Sequence, residues 1–339
     1  MALNPVKTSE EFLGVLSKRA REVLERRFGV GKSKERKTLE AIGASYGITR
    51  ERVRQIEAHA LKKLRGHELK TNRAEVFNAL KAELLKRGGV SEENAFLTTL
   101  AQNPQEKNHL RFLLTLADDF KRLKEDDDFH GRWSADDKLT AESHEALKKL
   151  HDELQEAQPV NEQELKEKLG RLAKDAAGRE ISEAALESWI SISKKLAQNK
   201  LGEWGLVDSP HITPRGVRDL AYLVMKRHGS PLHFSETASA IQKVLGERAH
   251  VQTVHNELIK DPRFVLVGRG LYALKEWGYE PGTVREVIRN ILSSSGPLPK
   301  AALLEKVMKE RHVKTATILI NLQNKKYFKT LADGRYAPA

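Results

Sequence analysis

The side chains best suited to a specific chemical task lie between Thr38 and Glu57, in the run TLEAIGASYGITRERVRQIE. Arg50, Glu51, Arg54 and Gln55 fall at i, i+1, i+4 and i+5, a spacing that puts all four on one face of a helix. Their types match the edges of base pairs in a major groove. Arginine pairs bidentately with guanine, glutamate accepts from the cytosine amino group, and glutamine contacts adenine. Thr49, Arg52, Lys62, Lys63 and Arg65 surround that face with groups suited to phosphate oxygens, contacts that position a duplex without reading it.

A reading face works only if a second element holds its helix at a fixed angle. Leu39, Ile42 and Gly43 share one side of a first short helix. Gly47 falls where a tight turn needs a permissive backbone, and Thr49 is placed to cap the helix that follows. On that second helix Val53, Ile56 and Ala60 form the inward stripe. A charge run alone reads as a solvated surface. The turn glycine, the cap and the apolar stripe together read as a helix-turn-helix.

Leu16 to Gly29, LSKRAREVLERRFG, followed by TLEAIGASYGITRERVRQIEAHALKKLR, resembles region 4 of sigma-70 family sigma factors. The likeness covers about residues 10–66 and is most specific in TRERVRQIEAHALKKLR. It implies that the second helix reads a promoter −35 element, through the matching positions Arg50, Glu51, Arg54 and Gln55. It also implies double-stranded promoter DNA and RNA polymerase as partners, the latter met through the helices that precede the reading helix. Only about ten residues precede the likeness, where a full sigma factor carries its −10-reading and main polymerase-binding regions. A stand-alone housekeeping sigma factor is therefore not expected.

The remainder reads as short amphipathic helices with occasional hairpins. The clearest hairpin is Phe264–Val267, a Gly-Arg-Gly turn, and Leu271–Leu274. Trp133, Trp204, Tyr272 and Tyr336 each close a Gly-bearing turn, at intervals of 71, 68 and 64 residues with helical segments between. That is the size of a winged-helix unit. The expected modules are 1–70, the helix-turn-helix; 71–135 and 136–210, winged-helix-like, the latter with a helical linker; 211–277; and 278–339. The fold class expected is mainly α, with tandem helix-turn-helix and winged-helix domains and short β-hairpin wings. In 211–277, Gly229-Ser-Pro-Leu-His-Phe234 and the Gly-Arg-Gly-Leu-Tyr strand resemble the HARE helix-turn-helix family and, more distantly, the amino-terminal domain of the RNA polymerase delta subunit. That resemblance implies a winged helix. Thr253, His255, Asn256 and Lys260 are its outward candidates, and Lys325, Lys326 and Lys329 make the last wing basic.

The charge distribution points to the same ends. The net charge is +12, with 59 Lys and Arg against 47 Asp and Glu. Residues 1–70 carry +8 and 211–339 carry +10, flanking −5 over 71–160 and −1 over 161–210. The basic ends suit nucleic acid, and the acidic middle suits a spacer or a protein contact. There is no cysteine, which excludes disulfides, cysteine-ligated zinc and thiol nucleophiles. No signal-like start or membrane-length apolar run is seen, so a bacterial cytoplasmic, nucleoid-associated protein is the expectation. Gly29-Val-Gly-Lys-Ser33 resembles part of a phosphate-binding loop, but Arg26 stands where that motif needs glycine. Asp126–Asp128 read as a solvated hairpin tip, and His233 and His255 lack a third ligand. No catalysis, cofactor, metal or small-molecule substrate is expected. Two functions follow: a transcription factor reading a −35-type element, or a delta-like polymerase accessory protein with little sequence preference.

Overall fold

Asn4 starts the first helix by accepting the Lys7 N–H at 3.0 Å, with Pro5 at the first helical position, where its missing donor costs nothing. This computed structural model describes residues 4–32, 34–66, 74–155 and 158–339. The expected boundary at residues 70 and 71 and Ser33 of the loop-like motif lie outside the described residues. The chain divides into two units, residues 1–198 with 202–207, and residues 199–201 with 208–339.

The first unit opens with α1 (Pro5–Gly14), α2 (Lys18–Phe28), α3 (Leu39–Tyr46) and α4 (Arg50–Arg65). Val23, Ile42 and Val53, one from each of α2, α3 and α4, make a small buried core. α1 and the other side of α2 belong to a larger one. Phe12 meets Phe77 at 5.9 Å and Phe28 meets Phe112 at 5.3 Å, and Ala60 and Leu64 join them, so α1, α2 and α4 share a core with α5 (Ala74–Lys86) and α7 (Pro104–Leu116). Each fully buried Phe or Leu there contributes about 1.5–3 kcal/mol. The helix-turn-helix is therefore braced by the segment that follows it.

That segment runs α5, β1 (Val90–Glu92), α6 (Glu93–Leu100), α7, β2 (Lys121–Leu123), β3 (Arg132–Ser134), with strand order β1-β3-β2, all antiparallel. Next come α8 (Asp137–Leu154), α9 (Glu162–Ala177), α10 (Glu183–Ile192), β4 (Leu196–Gln198) and β5 (Trp204–Leu206). Between α8 and α9, Val160 forms an isolated antiparallel bridge to Trp204. The two segments interlock: Ser188 donates to the Val90 carbonyl at 2.9 Å, and the Trp189 indole to that of Gly88 at 3.2 Å.

The second unit repeats the order. It holds α11 (Val217–His228), β6 (Leu232–His233), α12 (Phe234–Ala240) running into one π-helical turn, α13 (Val251–Lys260), β7 (Phe264–Gly268) and β8 (Leu271–Leu274), with strand order β6-β8-β7. Then come α14 (Val284–Ser295), a Leu298 bridge to Tyr336, α15 (Lys300–Glu310), α16 (Thr315–Leu322), β9 (Phe328–Thr330) and β10 (Tyr336–Pro338). The fold is thus mainly α with short antiparallel hairpins, as read from the sequence. Among the described residues the chain passes four times through helix, strand or bridge, two helices and a hairpin whose last strand is central. Among the described residues no helix is long and apolar enough to cross a membrane.

Candidate nucleic-acid interface

The turn between α3 and α4 is built from three local devices. Thr38 caps α3 by accepting the Ala41 N–H at 3.2 Å, and Thr49 caps α4 by accepting the Arg52 N–H at 3.2 Å. Gly47 takes the left-handed conformation, φ 64°, that ends α3. Gly43 permits the close approach: a Cβ there would stand 2.6 Å from the Ile48 carbonyl oxygen. Val53, Ala60 and Leu64 then bury one side of α4, which leaves the opposite side to solvent.

Arg50, Glu51, Arg54 and Gln55 all lie exposed on that side. Arg54 and Glu51 are bonded to each other in a bidentate pair, Nε to Oε2 at 2.8 Å and Nη2 to Oε1 at 2.7 Å. That hydrogen bond holds the Glu51 carboxyl below its usual range, and in return raises Arg54. Arg52 donates to the Gln55 side-chain oxygen at 3.1 Å. In the free protein Glu51 and Arg54 satisfy each other, and Gln55 is held by the phosphate-contact candidate Arg52. A duplex would exchange these exposed pairs for base edges at little cost. Among the described residues Arg50 has no such partner.

The phosphate-contact candidates divide. Arg52, Lys62 and Lys63 are exposed, and Lys62 continues the face of Arg50, Glu51, Arg54 and Gln55 while Lys63 turns away from it. Arg65 donates to the Thr115 carbonyl of α7 at 2.8 Å, which anchors it at one edge of that face. Sequence reading did not reach Arg19. It lines a groove of about 520 Å³ between α2 and α4 with Ser17, Arg52, Gln55 and His59. Only folding brings Arg19 beside residues more than thirty positions away.

In the second unit Thr253, Asn256 and Lys260 are exposed on α13. His255 is half-buried, stacked on Phe234 at 4.2 Å with its edge toward Tyr272. His233 caps α12 and is engaged by Ser235 at 2.7 Å. Val251, Ile259 and Leu266 are exposed apolar neighbours of these positions along the chain, Ile259 at 62%. Lys325 and Lys326 lie exposed in the turn after α16, and Lys329 lies exposed on β9. Among the described residues no group of three His, Asp or Glu side chains is arranged to hold a metal.

Two capped helices joined by a tight glycine turn, with a polar outward face on the second, define a helix-turn-helix. Residues 12–66 match the family model described as sigma-70, region 4. Over 68 residues the chain is 47% identical to the RNA polymerase sigma factor SigA of Bacillus sp, a stretch that is 20% of this chain and 18% of that relative. The chain thus spans under a fifth of that relative's length.

Proposed function

We propose that this chain is a DNA-binding transcription protein whose helix-turn-helix reads a −35-type promoter element in concert with RNA polymerase. The face of α4 carries the reading: four exposed base-reading side chains on a helix pinned from behind, within a segment that matches sigma-70 region 4. Arg50 and Arg54 pair with guanines, Glu51 and Gln55 complete the readout, and Arg52, Lys62, Lys63 and Arg65 meet phosphates. The four repeated segments act as winged helices, that of 211–277 of the HARE type. Thr253, Asn256, Lys260, Lys325, Lys326 and Lys329 add backbone contacts. The protein works on the bacterial nucleoid in the cytoplasm and catalyses no reaction. An anisotropy titration on duplexes with and without a −35-like element tests this. Wild type discriminates between them and Arg50→Ala does not; equal binding of every duplex by both proteins defeats base readout.

A second reading, a polymerase accessory protein with little sequence preference, is favoured by Val251, Ile259 and Leu266. Exposed apolar side chains on α13 and β7 suit a protein surface better than a phosphate backbone. Co-purification with polymerase from nuclease-treated lysate supports it, and loss of the complex on that treatment counts against it.

A further inference from the structure

A cleft of about 260 Å³ opens in the first unit beside the carboxyl end of α4, and arginine dominates its walls. Five guanidinium groups line it: Arg27 of α2, Arg36 of the loop before α3, Arg65 of α4, Arg111 of α7 and Arg122 of β2. Three carboxylates answer them. Glu57 takes Arg27 at 3.2 Å, and Glu93 takes both Arg111 at 2.5 Å and Arg122 at 2.7 Å. Asp118, itself 70% exposed, stands 3.9 Å from Arg65.

Arg36 is the cation left over. Among the described residues its side chain makes no hydrogen bond or ion pair. Arg36 is solvent-exposed, and partial desolvation first, then the neighbouring charge of Arg111, hold its guanidinium below its ordinary pKa, with the charge of Glu93 acting the other way. A neutral donor points to the same conclusion independently. Trp133 lines the cleft and is 2% exposed, and its indole Nε1 has no hydrogen-bond partner. A buried N–H without a partner is costly to keep.

We propose that this cleft is a phosphate-binding site, and that the phosphate it takes belongs to the backbone of the duplex lying on α4. Guanidinium forks match phosphate oxygens bidentately, and the site offers two more cations than carboxylates. The choice of DNA as the source rests on the reading of α4 given above. Arg65 lies on the same helical face as Arg50 and Arg54, about 16 Å along the axis from Arg54 at the rise of an α-helix. A strand crossing the reading face passes the cleft. A free phosphoanion would use the same chemistry, so the test separates the two sources.

The full chain is compared with Arg36→Gln and Arg122→Gln. The first removes no internal partner, and the second leaves Glu93 paired with Arg111. Duplex affinity is measured against salt for −35-like and scrambled sequences, and inorganic pyrophosphate is titrated calorimetrically. Arg36→Gln is expected to weaken every duplex equally, by about three- to tenfold, and to flatten the log K against log salt slope by about one. The ratio between sequences stays as in wild type, whereas Arg50→Ala removes that ratio. If Arg36→Gln leaves duplex binding unchanged but abolishes pyrophosphate binding seen with wild type, the site stands and DNA is rejected as its source. If wild type binds no duplex at all, the reading of α4 fails and the pyrophosphate titration alone decides the cleft. Unchanged salt slopes together with no difference in pyrophosphate binding among the three proteins overturn the proposal.

Discussion

Val160 and Trp204 exchange both of their backbone hydrogen bonds: Trp204 donates to the Val160 carbonyl at 2.7 Å and Val160 to that of Trp204 at 2.9 Å. Leu298 and Tyr336 do the same at 2.8 and 3.1 Å. Ser91 pairs with Trp133, and Leu232 with Tyr272, at the matching place in two proper strands. The four aromatics spaced 71, 68 and 64 residues apart thus occupy one position, the central strand of each repeat, opposite the short strand or bridge between its first two helices. Val160→Pro removes the donor of one such bridge. It should cost about 2–3 kcal/mol, more than Val160→Ala, which keeps the N–H. Thermal melting of the two variants checks this, and equal melting temperatures would show that the bridge does not matter.

Gly43→Ala should open the helix-turn-helix. The added Cβ has backbone, not a flexible side chain, 2.6 Å away. A loss of about 1–3 kcal/mol is expected, with weaker duplex binding, because α3 and α4 must move apart. Chemical denaturation and an anisotropy titration measure the two effects. A variant as stable as wild type would mean that the turn relaxes without cost.

Arg54→Ala should reduce discrimination among −35-like sequences roughly tenfold while barely changing the denaturation midpoint. Arg54 is 60% exposed, and its pair with Glu51 lies in solvent. A large fall in stability with sequence preference intact would reverse the assignment.

Stability should fall with acidification between pH 6.5 and about 4. Burial, then the charge of Arg132, lowers the His144 pKa to about 4. The Arg132 Nε donates to the His144 Nε2 at 3.1 Å, and that atom accepts only while unprotonated. The ring also stacks on Phe129 at 4.1 Å. An unfolded histidine takes up a proton near pH 6.5 while the folded one stays neutral, so the unfolded state gains over that interval, by roughly 1–3 kcal/mol. His109 and His211 are lowered too, chiefly by burial, and act in the same direction. His144→Gln keeps an acceptor and loses the titration. Its stability should decline less steeply from pH 6.5 to 4.5, and a slope equal to wild type would exclude His144 as a source.

Glu93→Gln should destabilise the first unit by about 3 kcal/mol. Burial pushes this carboxyl up, but hydrogen bonds from Arg111 and Arg122 outweigh it and hold the group ionised. Neutralising it leaves two guanidinium groups facing each other without their counter-charge. Urea denaturation reads the change; a loss under about 1 kcal/mol would mean that water already carries those charges.

The helix-turn-helix was legible because its determinants are local. Thr49 caps the helix that follows it through an N–H three residues away, Gly47 ends the one before it, and Val53 and Ala60 repeat at helical spacing. The hairpin from Phe264 to Leu274 was legible for the same reason, two apolar runs around a glycine turn. Single-residue bridges leave no such trace. Nothing in the alternation of residues marks Val160 or Leu298, and each pairs with an aromatic about forty positions away. His255 read as outward from its spacing, but the face of Phe234 was available to stack on and drew the ring halfway in.

By itself, then, the sequence determined the helix-turn-helix, the outward polar face of α4, the hairpin from Phe264 to Leu274 and the recurrence of the four aromatics, since each depends on contacts within a turn or two of helix or across one short hairpin. Tertiary structure alone decided which surfaces meet. Phe12 and Phe28 join the helix-turn-helix to α5 and α7 in one core, and that burial draws Arg27, Arg36, Arg65, Arg111 and Arg122 around Trp133. Charges spread over more than ninety residues of chain become a site only when apolar packing sets the distances between them, and Coulomb interactions depend on those distances, not on separation in sequence.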